Sequence, residues 1–500
     1  MELNSYSVSN EHIEYTKRKT LWQKIEDCVA GEDQVKSKAE LYLPRPSGMD
    51  AKTAEGKAAY ESYIGRAHFP DITSKFLSAL TGITKINPPK FSLPKELEYL
   101  KENCDGEGTP LDIYFYQSVT EALKSGRQIV YPDVDVKNNR LKFVRYNAKD
   151  IINWGVVGKV FNNKDADFYV IREYIQDSTD IFAHDYSEQY RVFTKSSVLA
   201  SEETNTDVFM SIIFDESENI VDKRVPMLYG KPFEGFPITV IGSTDLNINP
   251  DTIPLLGVAS CALQMYMKDA DLSNSMFLTC NPTLCMTGFQ SDNNSNFNVL
   301  VGSNIAIIAD DPQARVYYTK TDASGLQEVR LSIQMYLAEA QSMGSALLSN
   351  VQKGVESEGA LKMKAASTTA SLSTVSQTVA RGFESTIRYM ADWMSVESDE
   401  VIVKVDNNYL DNMITTSDIQ SIIDLYISDV ITHETALLKL KEGDFLNEDF
   451  NVSKELSQVK IKKQEKESEN KINSENQGNT FNDQMNNSLI QKINKVDAKD

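Results

Sequence analysis

The sequence predicts an α+β protein, and three observations carry that expectation. All fifteen prolines lie at or before Pro312, so the last 188 residues (500 − 312) contain none. Proline costs roughly 3 kcal/mol inside a helix, so a region that excludes it while keeping an apolar period predicts long uninterrupted helices. The stretches YRVFT, VFMSIIF and FPITVIG between Tyr190 and Val240 alternate as strands do. Between those strands and the N-terminus, helix-period segments alternate with further strand candidates, so the first 245 residues mix both element types.

In order, Glu11 to Ala30 reads as an amphipathic helix, and LYLPRPSG (Leu41 to Gly48) as a turn-rich connection. Phe69, Ile72, Phe76 and Leu80 hold helical spacing, with Pro70 and Asp71 where a helix starts. CDGEGTPLDIYFYQSVTEALKSGRQIVYPDVD predicts a turn, a helix, a glycine stop at Gly126 and a strand. Lys142 to Trp154 and Phe168 to Ile175 are further strands.

After NINPDTIP comes a helix with Leu255, Val258, Ala262, Met265, Asp269, Ser273 and Met276 on one face. PTLCMTGF and NVLVGSNIAIIADDP predict a small β insert of two or three strands. A second helix follows, with Leu326, Val329, Ile333, Leu337, Ala340, Gly344 and Leu347 in register. The polar break SNVQKGVESEG (Ser349 to Gly359) then leads into a third helix. Its stripe is Leu372, Val375, Val379, Phe383, Ile387, Met390 and Met394, and Ala360 to Ser395 would span roughly 50 Å. A short strand in DEVIVKVDN, helices over Thr416–Asp429 and Thr432–Glu442, and a polar tail beyond Asn451, frayed or disordered, complete the chain.

Five hundred residues, at ~150 per domain, suggest two to four packed units. With 41% hydrophobic residues, no run of about 18 uncharged apolar residues, and no basic-then-apolar start in MELNSYSVSN, neither a membrane span nor a secretion signal is expected. The five cysteines, Cys28, Cys104, Cys261, Cys280 and Cys285, are scattered and fit free thiols in a reducing compartment, here a host cytoplasm. A formal net charge of −21 disfavours gripping nucleic acid through phosphate neutralisation. It does not exclude DNA as a passenger, because a like-charged wall keeps a polyanion from sticking.

Signatures of catalysis are missing. There is no GxxxxGK[ST], no HExxH and no GxSxG, and His12, His68, His184 and His433 lie in unrelated segments. Of two acidic clusters, Asp105-Gly106-Glu107-Gly108 and Asp133 with Asp135 and Asn138, the second has carboxylates suited to a divalent ion, yet neither follows the calcium-loop template, and turn chemistry is the better reading. Asp310-Asp311 before Pro312 is likewise a turn. No enzymatic activity, cofactor or metal is expected. The break at 349–359 is either an ordinary connection or a loop projecting into a channel, with Asn350, Gln352, Lys353, Glu356 and Glu358 meeting what passes.

The stretches YIGRAHFPDITSKFLSALTGITKINPPKF, DGEGTPLDIYFYQSVTEALKSGRQIVYPDV, YNAKDIINW and the run from ADLSN through NPTL to VGSNIAII resemble a portal-like phage family formerly of unknown function. The order of elements is similar to that of tailed double-stranded-DNA phage portal proteins. That resemblance implies a mixed α/β wing (1–245), a stem helix (246–280), a β-containing clip (281–323) and a second stem helix (324–348). It further implies a tunnel loop (349–359), a long wing helix with return strand (360–415), a helical crown (416–450) and a polar tail (451–500). It implies a homo-oligomeric ring, typically twelve copies, at one capsid vertex of a virion assembled in the host cytoplasm. Double-stranded DNA would pass through it during packaging and ejection. Its partners would be the terminase large subunit, head-completion or tail adaptor proteins, and the major capsid or scaffolding protein, with no membrane. The alternatives are another head-tail connector or minor capsid protein, or a metal-dependent nuclease using Asp133 and Asp135.

Overall fold

Helices gathered against two antiparallel sheets build the larger of two units, residues 1–407, in a computed structural model of the chain; the smaller is residues 408–500. The structure describes residues 7–135, 137–157, 166–176, 182, 184–199, 207–280, 284–288, 311–319, 325–344, 358–406, 416–428, 430–442 and 451–459, with backbone alone at 199, 344, 358–371, 416–421 and 440–442. The chain is α+β.

Helix α1 (Ile13–Ala30) starts where the His12 ring accepts the Glu14 N–H at 3.1 Å, satisfying one orphan donor of the first turn. Its apolar content is sparse, but Tyr15, Trp22, Ile25 and Cys28 are all buried. After α2 (Glu32–Ser37), helix α3 (Ala54–Arg66) begins on the Thr53 hydroxyl, and α4 (Ile72–Thr84) follows Pro70 and Asp71. A short strand β1 (Lys90–Ser92) precedes α5 (Leu111–Ser125). Helix α5 stops at Gly126, whose φ of 66° is left-handed and whose missing side chain would fall 2.5 Å from the Thr252 carbonyl oxygen. Both facts call for glycine.

Strands β2 (Arg127–Asp135) and β3 (Arg140–Asn147) form a hairpin, and β4 (Ile151–Gly155), β5 (Phe168–Gln176) and β6 (Tyr186–Lys195) continue the chain. A single turn, α6 (Ser196–Leu199), precedes β7 (Phe209–Phe214), β8 (Ile220–Arg224), β9 (Met227–Leu228), β10 (Lys231–Pro232) and β11 (Thr239–Gly242). Among the described residues one antiparallel sheet runs β11-β2-β3 and another β4-β5-β6-β7-β8. A half-buried ion pair lies within the second sheet, where Glu173 on β5 takes Arg191 of β6 at 2.6 and 3.1 Å, and the Tyr146 hydroxyl of β3 donates to the same carboxylate and so links the two sheets.

Helix α7 (Leu256–Cys280) follows, then β12 (Leu284–Thr287), β13 (Arg315–Tyr318), α8 (Leu326–Gly344), α9 (Glu358–Met394) and β14 (Ile402–Lys404). Within the segment 246–280 the helix begins at Leu256, directly after NINPDTIP: Pro250 and Pro254 interrupt the residues before it, and the Asp251 carboxylate ties that stretch down by accepting the Thr244 and Asp245 N–H groups. Strand β14 returns to pair with β1, setting Phe91 opposite Val403. The main core closes around α9, which packs on α5, β2 and β11. At its centre Phe383 meets Phe143, Phe115 and Tyr114 at ring-centroid distances of 5.3, 5.5 and 6.1 Å. Each such buried ring contributes about 1.5–3 kcal/mol of apolar burial.

In the second unit, α10 (Thr416–Ile427) and α11 (His433–Glu442) are helices in contact, with the Tyr426 and His433 rings 5.0 Å apart. Residues 452–459 at the head of the polar tail are helical, and the Asn451 carboxamide caps this turn by accepting the Lys454 N–H at 3.1 Å.

Candidate functional site

Helices α7 and α8 form an antiparallel hairpin joined through the β12–β13 ribbon. Near the body, a side chain at Gly257 would meet the Met343 sulfur at 2.6 Å, so the start of α7 lies on the end of α8. Toward the other end, Arg330 near the start of α8 reaches the Met276 sulfur at 3.7 Å. The ribbon sets Leu284 opposite Tyr318 and Thr287 opposite Arg315. The sequence RVYY was not expected to be a strand, since it carries no alternation and all four side chains are exposed. The second expected strand segment, within 298–312, lies almost entirely outside the described residues.

The two halves of the hairpin differ. From Val258 to Leu272, α7 is wedged among α1, α3, α4 and α8, and Val258, Ala259, Cys261, Ala262, Leu263, Met265 and Tyr266 are all buried. Burial reaches around most of the helix, so the stripe Leu255, Val258, Ala262 and Met265 is only part of the contact. Past Leu272 the cover thins: Ser273, like Asp269 before it, is half-buried, and Met276, Phe277 and Leu278 are exposed. On α8 the stripe residues Leu326, Val329, Ile333 and Leu337 are half-buried and Ala340 is buried. Leu331 and Met335, spaced i, i+4 on the opposite face, are exposed, Met335 by 73%.

Helix α3 and the turn after it set the angle of α7. Tyr63 donates to Asp271 at 2.7 Å, Arg66 donates to Asn274 at 2.9 Å and lies 4.2 Å over the Phe277 ring, and the His68 N–H donates to Asp269 at 2.7 Å. Burial, reinforced by the Asp271 carboxylate, raises the Tyr63 phenol well above its ordinary range, so it remains a donor. Sequence reading missed this brace. Tyr60, Tyr63 and Arg66 do share one helical face, and that spacing was the available signal.

Leu372, Val375, Val379, Phe383, Ile387 and Met390 on α9 are buried together. The same face also buries Ser376, Thr378 and Thr386, which an apolar pattern does not reveal. Thr378 donates to the Thr244 carbonyl at 3.1 Å, Thr386 to the Thr239 hydroxyl at 3.1 Å, and the Trp393 indole to the Lys231 carbonyl at 3.0 Å. Of the residues assigned to the polar loop, Asn350, Gln352, Lys353 and Glu356 lie outside the described residues. Glu358 is the first residue of α9.

The two acidic clusters, distant in sequence, meet beside a cleft of about 250 Å³ lined by Tyr99, Asn103, Gly106, Asp135, Arg140 and Lys142. Their polar atoms serve the turns. Asp105 accepts the Glu107 and Thr109 N–H groups, Asn103 those of Gly106 and Gly108, and Asp135 takes the Lys137 N–H and the Asn138 amide. Asp133 accepts the N–H of Val134. No group of three or more His, Cys, Asp or Glu suited to a metal ion is found among the described residues. The five cysteines are free thiols, and no helix among those described is long and apolar enough to cross a membrane.

A family model described as a domain of unknown function (DUF4055) matches residues 254–394, from just before α7 to the end of α9. No curated protein matches the chain. Similar solved structures include the neck of an empty GTA particle computed with C6 symmetry, at 9% identity over 76% of this chain and 92% of that chain, with a TM-score of 0.38. Another is the virion of a native gene transfer agent (GTA) particle, at 9% identity, the same two coverages and a TM-score of 0.36. A third is the neck of a native GTA particle computed with C12 symmetry, at 9% identity over 73% and 89%, with a TM-score of 0.37. A likeness this distant carries no functional argument.

Proposed function

We propose that the chain is a phage portal subunit: a ring-forming structural protein at one capsid vertex, through which viral DNA is packaged and ejected. In this reading α7 and α8 are the stem, β12–β13 belongs to the clip where the terminase motor and later the head-tail connector proteins dock, α9 is the long wing helix, and the α+β body is the wing. The observation that carries the reading is the half-covered hairpin. Its proximal half is seated in the body, while its distal half presents Leu331 and Met335 on one side and Phe277 and Leu278 elsewhere, all exposed. Large apolar side chains clustered on an element that projects past its own core mark an interaction surface. Two different apolar faces on one element are what a head-to-tail ring interface needs, since each copy offers one face and receives the other.

Charge supports the same reading. At −21 per chain a ring has a strongly acidic wall available to its channel, and a polyanion slides past such a wall without adhering. Electron microscopy of the purified full-length chain tests the proposal: closed rings, twelve copies by the family resemblance, with an open axial channel are expected. Monomers or dimers under assembly conditions overturn it, and assemblies with no axial opening point to a different head-tail connector or minor capsid protein.

A further inference from the structure

The N-terminal strap, residues 7–12, is tied to the body at several points before α1 begins. Ser7 and the Ser9 N–H donate to Glu218 in the β7–β8 turn at 2.8 and 3.2 Å, the Asn10 carbonyl accepts from Asn153 at 2.9 Å, and the His12 N–H donates to the Ile152 carbonyl at 2.8 Å. His12 adds two contacts through its ring. It lies 4.0 Å from the Trp154 ring in a stacked arrangement with an interplanar angle of 24°, and its Nδ1 accepts the Glu14 N–H to cap α1.

Trp154 is shared. The Arg127 guanidinium lies 3.7 Å over the same indole, is fully buried, and has no ion-pair partner among the described residues. One of its nitrogens donates to the Ile248 carbonyl at 2.7 Å, while Nε and the other terminal nitrogen find no protein acceptor. The first turn of α1 therefore stands beside an uncompensated buried cation.

We infer that His12 is a proton-responsive latch: neutral, it holds the strap and the first turn of α1 against β4, and protonated, it lets them go. A ring nitrogen that accepts a hydrogen bond cannot carry a proton, so protonation removes the cap outright. It also adds a positive charge at the positive end of a helix dipole and near Arg127. The charged groups that face His12 are Arg127 from β2 and, from its own helix, Glu14 and Lys17; Glu14 is occupied by Lys17 at 2.8 Å. Glu11 beside it is held by Lys19 and by Arg172 of β5. Burial first, and the Arg127 charge second, lower the His12 imidazole below its usual range, in line with the contacts.

Two measurements on the full-length chain test this. In the first, histidine-selective NMR labelling, assigned by comparison with His12→Asn, follows the His12 imidazole, which is expected to titrate below the ordinary histidine value of about 6.5. Titration at or above that value overturns the inference. In the second, hydrogen exchange of residues 8–20, corrected for intrinsic rates, is compared at about pH 7.5 and about pH 5, where uptake of one proton multiplies opening up to about tenfold per pH unit. Protection there is expected to fall about tenfold while β2 and β3 remain protected, and His12→Asn, which caps without titrating, is expected to abolish the difference. Unchanged protection in the wild-type chain, or the same fall in His12→Asn, overturns it.

Discussion

Phe383 and Phe277 are both phenylalanines on long helices, yet the first is 0% exposed and the second 45%. Around Phe383 the chain supplies every neighbour itself, from α5, β3 and α9. Against Phe277 the Arg66 guanidinium lies over one side of the ring, and the side chain stays 45% exposed. A helix finished within one chain has a stripe that closes on its own core; one left for assembly has large apolar residues on a face its own fold does not cover. The comparison separates a face that the chain buries by itself from one that, on the proposed reading, a second copy would cover.

Phe383→Asp breaks the first half of the comparison most severely. A carboxylate would enter a dry aromatic cluster and a large ring would leave it, each costing several kcal/mol, enough to consume a marginal fold of roughly 5–15 kcal/mol. Loss of soluble protein and of a cooperative thermal transition is expected, and a normal melting curve would show that α9 is not the keystone of the body.

Asp150, just before β4, offers a gentler probe of the same body. Burial raises its carboxyl to about 6, so the folded state holds a proton that the unfolded chain releases. That contribution to stability is complete below about pH 3.8 and is lost as pH rises through about 6. Asp150→Asn keeps an acceptor for the Asn147 N–H and does not titrate. It is expected to be more stable than wild type at neutral pH by roughly 1–3 kcal/mol, with the difference vanishing at low pH, as read by denaturant unfolding across that range.

The smallest effect on the single chain is expected in the hairpin. Leu331→Asp with Met335→Asp places charges where solvent already reaches, so the subunit's unfolding free energy should change by no more than about 0.5 kcal/mol per site. Light scattering should nevertheless show loss of higher assembly. Assembly at the wild-type level would mean that this face is not a subunit interface and would return the hairpin to an ordinary exposed element.

How far the fold was legible follows from the same contrast. The α9 stripe could be read because its burial is one-sided and its spacing of three and four residues repeats without proline. Gly126 could be read because a left-handed residue ends the helix. Strand β13 could not, since four exposed residues in a row leave no period. The proximal half of α7 is covered on most sides, so its apolar residues blur into a run. Arg127 was invisible as a core residue, because nothing local says that an arginine will stack on a tryptophan 27 positions away (154 − 127). Of the candidate sites, the i, i+4 pair Leu331 and Met335 was written in the sequence as apolar residues off the main stripe. The acidic clusters looked like separate loops, and only folding brings them to one cleft.

The way α7 leaves the body has a mechanical consequence. A rod clamped over the stretch from Val258 to Leu272 and overhanging to Cys280 is a cantilever, with about 12 Å beyond the clamp at 1.5 Å per residue. A tilt of about ten degrees at Leu272 moves its tip by about 2 Å. The Arg66 guanidinium over Phe277 bears on that overhang from α3 and the Arg330 guanidinium at Met276 bears on it from α8, so both helices resist its deflection.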